Sequence, residues 1–426
     1  MTKKEIKKVW IISHHTTSPK DGPSGRHYAI SKYLARDGYD VYVFAGNVLH
    51  STGKVLEVGK DGYKEYNDDG FHLFHTKVHE YHKNDIHRIL NIISFYFSTL
   101  KTSKKIEKKY GKPGIVYSST MTPLALAAGN KLAKKYKVKS INETRDIIPE
   151  GFVTKGTFKE HGIIANTLRR YMHRMYDKAD ALIFTMSKGK DYIEDMKWDV
   201  EHGGKIRNDR IYNINNGVDR ERSIYNEEHY ILPDEHLDDG SLFNVVYCGS
   251  IRFFNNMPIF IDAAKELKNR GYGNIKILLW GSGIKIEDTK KAIADLGLDN
   301  IVVKGFVDKE YIPSIVKRSN LCLMTTNFSC VDKYGASPNK LFDYFQAGRP
   351  IIVPTLLADS MVESNGCGME LDNPDGKKLA DAIIRFATMD KDEYQKYCEN
   401  SAKMAEKFDY KVHAKSLEKI FDDLSE

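Results

Sequence analysis

Twice along this chain, short runs that are apolar almost throughout alternate with longer segments whose apolar residues return every three or four positions. In the first half, "KVWIIS" is followed by "GRHYAISKYLARDGY", with Tyr28, Ile30, Tyr33 and Leu34 at helical spacing and a stop at Gly38, and then by "DVYVFAG". Strand, helix and strand in so few residues is a βαβ unit, which implies parallel strands joined by a right-handed crossover. The alternation continues through "GIVYSS", "TPLALAAGNKLAKKY", "VKSINET", "NTLRRYMHRMYDK", "DALIFTMS" and "IYNINNG". Strands this apolar are buried on both faces, as in α/β proteins.

Residues 220–241, "RERSIYNEEHYILPDEHLDDGS", interrupt the pattern with a polar stretch and read as a linker. The alternation then restarts with "FNVVYCGS" and runs through "NIKILLWGSG", "NIVVKGFV", "NLCLMTT" and "PIIVP". The expected fold class is therefore α/β, with two Rossmann-like doubly wound domains facing a cleft. The expected boundaries are 1–219 for the first domain, 220–241 for the linker and 242–405 for the second domain. A terminal helix over 406–426 is expected to cross back to the first domain. A chain of 426 residues with 41% hydrophobic content suits two such cores.

Composition narrows the rest. The net charge of +7 is mildly basic, which fits an anionic substrate or an anionic membrane surface and does not single out nucleic acid. The five cysteines, Cys248, Cys322, Cys330, Cys367 and Cys398, include no CxxC pair and suggest a reducing compartment. The start, "MTKKEIKKVWIIS", is basic, but its apolar run is short and reads as a first strand rather than a signal peptide. The most apolar long stretch, "ILNIISFYFSTL", falls short of the roughly 20 residues that span a bilayer. A cytoplasmic protein is expected, with room for surface contact on the inner membrane face. "KTSKKIEKKYGK" at 101–112 carries six Lys behind an aromatic segment. It reads either as a basic face lying on an anionic membrane or as a solvated helix face, and 168–178 extends it.

Ligands of open parallel sheets bind beyond the carboxyl ends of the strands, so those loops carry the candidate site. "SHHTTSPKDGPSGRHY" is long, holds Gly22 and Gly25, and enters a helix whose free N–H groups suit an anion. His14 and His15 stand at its strand end. Arg145, Asp146 and Glu150 follow a strand directly in "NETRDIIPEGF", as a helix cap with a surface ion pair or as an active-site wall. "YCGSIRFFNN" ends a strand in Gly249 and Ser250 and then presents Arg252, a planar fork suited to phosphate. "LLWGSG" supplies Gly281 and Gly283, and "VVKGFV" supplies Gly305, Phe306 and Val307. The densest signal is "YGASPNKLFDYFQAGRP", residues 334–350. Ser337, Pro338 and Asn339 form a turn into a helix, with Pro tolerated at its start and Gly348 and Pro350 as stop signals. That turn aims free N–H groups and the positive end of the dipole at a ligand. Lys340 adds charge, and Asp343 one turn on is placed to accept from a diol. The plain alternative is that Ser337 caps the helix while Lys340 and Asp343 pair on the surface.

Two tempting metal signals are declined. The histidines His72, His75, His79, His82 and His87 have no Cys or HExxH beside them, and Phe71, Leu73 and Val78 suggest a strand and turn with the rings pointing outward. Asp390 and Asp392 read as helix-capping carboxylates. No P-loop is present in the sequence.

Taken together, these loops resemble the retaining GT-B glycosyltransferases of the family-4 type, and most closely bacterial transferases of O-antigen or capsule assembly such as N-acetyl-fucosamine transferases. The resemblance rests on the first glycine loop, "TRDIIPE", "NNGVD", "VVYCGSI", "LLWGSG", "KGFV" and, most specifically, "YGASPNKLFDYFQAGRPII". It implies transfer of a sugar, such as an N-acetylated amino sugar, from a nucleoside diphosphate, taken as UDP, to a glycan or polyprenyl-diphosphate-linked acceptor. Arg252, Lys340 and the helix start would hold the diphosphate, and Asp343 the ribose. Gly249, Gly281, Gly283, Gly305, Phe306 and Val307 would frame the nucleotide, beside Ser337, Pro338 and Asn339. His14, His15, Gly22, Gly25, Arg145, Asp146 and Glu150 would line the acceptor side, with His14 and Asp146 counted among the catalytic groups. No cofactor and no metal are expected, since the nucleotide sugar is a substrate. The sequence departs from the family in two places. Gly335 stands where the first acid of the E-x7-E motif belongs, with N–H groups at Ala336 and Ser337 or the carboxylate of Asp332 as substitutes. Asn255 and Asn256 stand where a second basic residue often follows the Arg. A sugar-nucleotide 2-epimerase of the same fold and an exported sugar-binding protein are the competing expectations.

Overall fold

The computed structural model describes residues 7–50, 52–83, 85–120, 122–252, 256–324, 332–356 and 358–425. Asn255 and Cys330 lie outside the described residues, as does the side chain of Asp332. The chain forms two compact units, Met1–Asn215 with Tyr410–Glu426, and Asn216–Asp409.

The strands of the first unit are β1 (Lys8–Ile12), β2 (Asp40–Gly46), β3 (Tyr63–Asp68), β4 (Phe71–Thr76), β5 (Ile115–Ser119), β6 (Lys139–Thr144), β7 (Ala181–Phe184) and β8 (Ile211–Asn213). They form one sheet in the order β3-β4-β2-β1-β5-β6-β7-β8, parallel throughout except for β3 against β4. Its helices are α1 (Arg26–Arg36), α2 (Ile86–Tyr110), α3 (Pro123–Tyr136), α4 (Glu150–Thr154), α5 (Ile163–Tyr176) and α6 (Gly189–Asp195). The period of two in β1 explains the layers. Val9 and Ile11 join a core with α1, while Trp10 and Ile12 join a second core with α2 and α3.

In the second unit the helices are α7 (Arg220–His229), α8 (Met257–Asn269), α9 (Ile286–Asp295), α10 (Ile312–Lys317), α11 (Asn339–Ala347), α12 (Gly376–Thr388) and α13 (Lys391–Lys407). The strands are β9 (Phe243–Cys248), β10 (Ile275–Trp280), β11 (Ile301–Gly305), β12 (Leu321–Leu323), β13 (Ile351–Val353) and β14 (Gly368–Glu370). All six are parallel in the order β11-β10-β9-β12-β13-β14, so the winding reverses between β9 and β12. Asp390 caps α13 by accepting from the N–H groups of Asp392 and Glu393. The last helix, α14 (Tyr410–Asp423), packs on α1 within the first unit through Ala414, Leu417 and Phe421.

Three details differ from the sequence reading. The segment 220–241 is built into the second unit. Asp219 caps α7. Asp234 pairs with Lys304 at 2.6 Å, and Asp238 with Arg318 at 2.6 Å. Polar composition here marks an ion-paired surface layer. The crossing back to the first unit begins at Tyr410, after α13 has closed on α11. The histidines of β4 do not all face outward, because that strand is buried on both sides. His75 is fully buried and its Nδ1 bonds Gly46 O at 2.9 Å, while His72 stacks on Tyr42. Cys248, Cys322, Cys367 and Cys398 are buried free thiols. Among the described residues no group of His, Cys, Asp or Glu is arranged to hold a metal ion, and no helix is long and apolar enough to cross a membrane.

Candidate functional site

In the second unit, backbone pairing continues past the ends of β9 and β10, and reaches the last residue of β11. Gly249 N donates to Trp280 O (2.9 Å), Ile251 N to Ser282 O (3.0 Å) and Gly281 N to Gly305 O (2.7 Å). Three turns are thereby pressed into one layer at the sheet's carboxyl end. A Cβ on Gly281, whose φ is +143°, would stand 1.8 Å from Gly249 O, and one on Gly283 would stand 2.1 Å from Ile251 O. Glycine is required here by neighbouring backbone, a cause the sequence reading assigned to a ligand. Past β11, Phe306 is 71% exposed and Val307 half-buried. Arg252 is exposed directly after the β9 turn.

The stretch 334–350 meets this layer. Pro338 is the N-cap of α11, and no side chain caps the helix. Ser337 is occupied elsewhere. Its Oγ accepts from Asn216 N (2.8 Å) and its carbonyl from Asn216 Nδ2 (2.6 Å). The first-turn N–H groups of α11 thus keep the anion-attracting character of a helix start. Lys340 does not turn to Asp343. Its Nζ donates to Tyr247 Oη at 3.0 Å and lies 4.3 Å above that ring, and Tyr247 Oη donates to Ser250 O at 2.8 Å. A Cβ on Gly249 would come within 2.5 Å of the ammonium. Burial pushes the Lys340 ammonium down to about 8 and raises the Asp343 carboxyl. The plain alternative of a Ser337 cap beside a Lys340–Asp343 surface pair is therefore not what forms. Lys340, Asp343, Gly249 and the α11 start come together at the point where the winding reverses, the place an open parallel sheet receives a ligand.

In the first unit the loop after β1 turns inward. His14 is fully buried between Phe95 of α2 (ring centroids 4.0 Å) and His15 (4.4 Å), and His15 stacks in turn on His50 (4.8 Å). His14 Nδ1 bonds Thr122 Oγ1 at 3.2 Å. Burial holds the His14 imidazole well below its usual value and His15 at about 3, so both are neutral. Gly22 lies in the loop, and Gly25 is the exposed N-cap of α1. Arg145 leaves β6 with its N–H bonded to Thr120 Oγ1 at 2.9 Å, and Asp146 is exposed. Glu150 is committed elsewhere. Both its oxygens accept from Arg169 at 2.7 Å, a bidentate pair between the start of α4 and α5.

The sequence reading missed a buried charge network at the same sheet end. Glu143 of β6, fully buried, accepts from Arg26 Nε (2.7 Å) and Tyr117 Oη, and pairs with His27 Nε2 (2.8 Å). His27 Nδ1 meets Ser13 Oγ at 2.9 Å. The two Arg26 Nη groups donate to Ile214 O and Asn215 O. Burial opposes the Glu143 charge, but Arg26 and His27 outweigh it and hold the carboxyl well below its usual range. The available signal was one acid inside the otherwise apolar "SINET": a carboxylate in a two-sided buried strand must have a cation.

Comparison with known proteins bears on this arrangement. Residues 243–389, from β9 to α12, match the model of the group 1 glycosyl transferases. An alpha-D-kanosaminyltransferase of Streptomyces kanamyceticus is 25% identical over 168 residues, covering 39% of this chain. That alignment spans 41% of the relative's length. Among solved structures, Anabaena HepE in complex with UDP and glucose superposes with a TM-score of 0.63 at 12% identity, over 98% of this chain and 99% of that one. The alpha,alpha-trehalose 6-phosphate synthase of Burkholderia multivorans gives 0.70 at 10% identity, over 98% of each chain. WaaG, a glycosyltransferase involved in lipopolysaccharide biosynthesis, gives 0.62 at 13%, over 97% and 99%. The fold, two α/β units with parallel sheets, is GT-B.

Proposed function

We propose that this chain is a retaining glycosyltransferase that moves a sugar from a nucleoside diphosphate, UDP first among the candidates, to a glycan or polyprenyl-diphosphate-linked acceptor in surface polysaccharide synthesis. The observation that carries the reading is the convergence of Lys340, the uncapped start of α11 and the Gly249 turn at the winding reversal of the second unit. The family match over 243–389 supports it, as do the UDP named with HepE and the amino sugar in the curated relative's name.

The chemistry follows from charge. Breaking the sugar–phosphate bond leaves negative charge on the diphosphate. Preorganised donors that meet that charge lower the barrier most effectively where water is scarce. Lys340 and Arg252 supply cations, and the α11 N–H groups supply the dipole. Asp343, one turn along, accepts from the ribose hydroxyls. The acid expected at 335 is absent, so the donor sugar is met by backbone N–H groups of Ala336 and Ser337. The acceptor hydroxyl surrenders its proton to the leaving phosphate, so no side chain is assigned as nucleophile. The acceptor itself is assigned to the strand ends of the first unit.

The outer helical layer of the first unit supports a peripheral membrane role. On α2, Ile86, Ile89, Leu90, Ile93 and Phe97 are exposed along one stripe, which continues as exposed Lys101, Lys104 and Lys108. α5 repeats the order, with Ile163 86% exposed and Ile164 beside it, then exposed Arg170 and Arg174. Apolar insertion with cations at headgroup level is how an interfacial helix holds an anionic bilayer. The reading is tested by thermal-shift and hydrolysis assays against a panel of nucleotide sugars. One UDP-sugar should stabilise the protein and be turned over, and Lys340→Gln should remove both effects. No response to any nucleotide sugar would sink it.

A further inference from the structure

Tyr247, the penultimate residue of β9, has two neighbourhoods. Its ring is fully buried in the core that α8 closes, 5.6 Å from Phe260 between ring centroids. A phenylalanine would fill that place as well. The hydroxyl reaches instead to the carboxyl end of the sheet. There it donates to Ser250 O at 2.8 Å and accepts from Lys340 Nζ at 3.0 Å. Lys340 comes from the other side. It stands on α11, whose Leu341, Phe342 and Tyr344 pack with Val246 and Cys248 on the opposite face of the sheet. The two side chains meet at Gly249, where a Cβ would stand 2.5 Å from Lys340 Nζ and 2.9 Å from Tyr247 Oη. Glycine at 249 keeps open the gap in which they meet.

The choice of partner has a chemical consequence. Asp343 lies one turn along α11 from Lys340, a spacing at which helical side chains can pair, and a carboxylate there would cancel the ammonium's charge. A phenol oxygen does something else. Its single proton goes to Ser250 O, so toward Lys340 it accepts, fixing the direction of an N–H while leaving the positive charge intact for an anion. The same oxygen holds the turn. Gly249 N and Ile251 N are tied to Trp280 O and Ser282 O, and Tyr247 ties the carbonyl between them, Ser250 O. Arg252 follows directly on that turn. One hydroxyl therefore stands behind both cations assigned to the diphosphate.

We propose that Tyr247 is a positioning residue of the donor site, its hydroxyl aiming the Lys340 ammonium and the Ser250 turn at the leaving diphosphate. That the anion is a diphosphate rests on the glycosyltransferase reading; the hold on Lys340 does not. Tyr247→Phe removes one oxygen and keeps the buried ring, and two measurements on the full chain read its effect. The first is calorimetric titration with UDP at pH 8, where Lys340 is partly titrated, on wild type, Tyr247→Phe, Lys340→Gln and the double variant. Tyr247→Phe should weaken UDP about tenfold in the wild-type background and less than about twofold in Lys340→Gln, the non-additivity of two groups that act through one contact. The second is the titration of Lys340 itself, followed by NMR of the lysine side chains and assigned with Lys340→Arg. It should move to lower pH in Tyr247→Phe, because the charged form loses an acceptor. Equal UDP losses in both backgrounds, or an unmoved Lys340 titration, overturn the proposal, since a residue that only filled the core would give both. If UDP fails to bind wild type while Lys340 still titrates lower in Tyr247→Phe, the glycosyltransferase reading falls and the hold of Tyr247 on Lys340 stands.

Discussion

Lys340 makes the proposed donor site sensitive to pH in a range where few other groups change. Burial lowers its ammonium from the ordinary 10.5 to about 8. A diphosphate in contact with the ammonium favours the charged form and raises that value again on binding. Linkage then gives the direction. The free protein holds the proton below about 8 and loses it above, while the complex keeps it, so affinity falls as pH rises through 8. With a free value near 8, the charged fraction goes from about nine-tenths at pH 7 to about one-tenth at pH 9. That predicts a roughly tenfold weaker UDP affinity at pH 9, about 1.4 kcal/mol. The second phosphate ionisation, near 6, is complete across this range and adds little. Calorimetric titration at half-unit steps measures the profile. Lys340→Arg is the decisive control, because a guanidinium stays charged throughout. Its profile should be flatter than that of wild type, and whatever slope it keeps belongs to the nucleotide or to the rest of the site. Equal slopes in wild type and Lys340→Arg would refute the assignment of Lys340 to the diphosphate.

Three further outcomes follow from the same geometry. Glu143→Gln keeps the shape of the buried network but leaves the Arg26 guanidinium without its counter-charge. It should cost about 3–5 kcal/mol in urea denaturation, and a loss below about 1 kcal/mol would mean the network is not the anchor described. Gly281→Ala forces a Cβ to 1.8 Å from Gly249 O at a φ of +143°, so it should lower the melting temperature and weaken UDP binding together; the strained backbone alone costs about 1–3 kcal/mol. His15 is neutral in the fold down to about 3 but takes a proton near 6.5 when unfolded. Stability is therefore lost as pH falls below 6.5, by about 2 kcal/mol from this ring at pH 5, and His15→Asn should flatten the acid limb of the melting curve.

Most of the fold was legible because both sheets are buried on two faces, which leaves apolar runs such as "KVWIIS" and "FNVVYC" with no competing reading. The start and stop of α11 were legible for a local reason, Pro338 before it and Gly348 at φ +63° after it. What escaped depends on partners far along the chain. Glu150 stood open between an ion pair and a wall of the site, and only Arg169, nineteen residues on, shows that the ion pair forms. Ser337 looked like a cap until Asn216, across more than a hundred residues, claimed its hydroxyl and its carbonyl. The polar stretch 220–241 looked free because an ion pair such as Asp234–Lys304 leaves no mark in local composition.

Gly335 shows how the backbone can decide a chemical question. Its φ of +89° lies where a residue with a Cβ is strained by about 1–2 kcal/mol. An acid there would carry that cost along with whatever contact it made. The chain turns at Gly335 and is then fastened two residues on, where Ser337 accepts both hydrogen bonds from Asn216. The turn is thus held from the segment that opens the second unit, and α11 starts from a fixed point. Lys340 and Asp343 lie within its first two turns, so their positions inherit that fixing. The missing acid and the tied serine belong to one arrangement: a tight left-handed turn that gives up a side chain at 335 and in return sets the helix start that carries the charge.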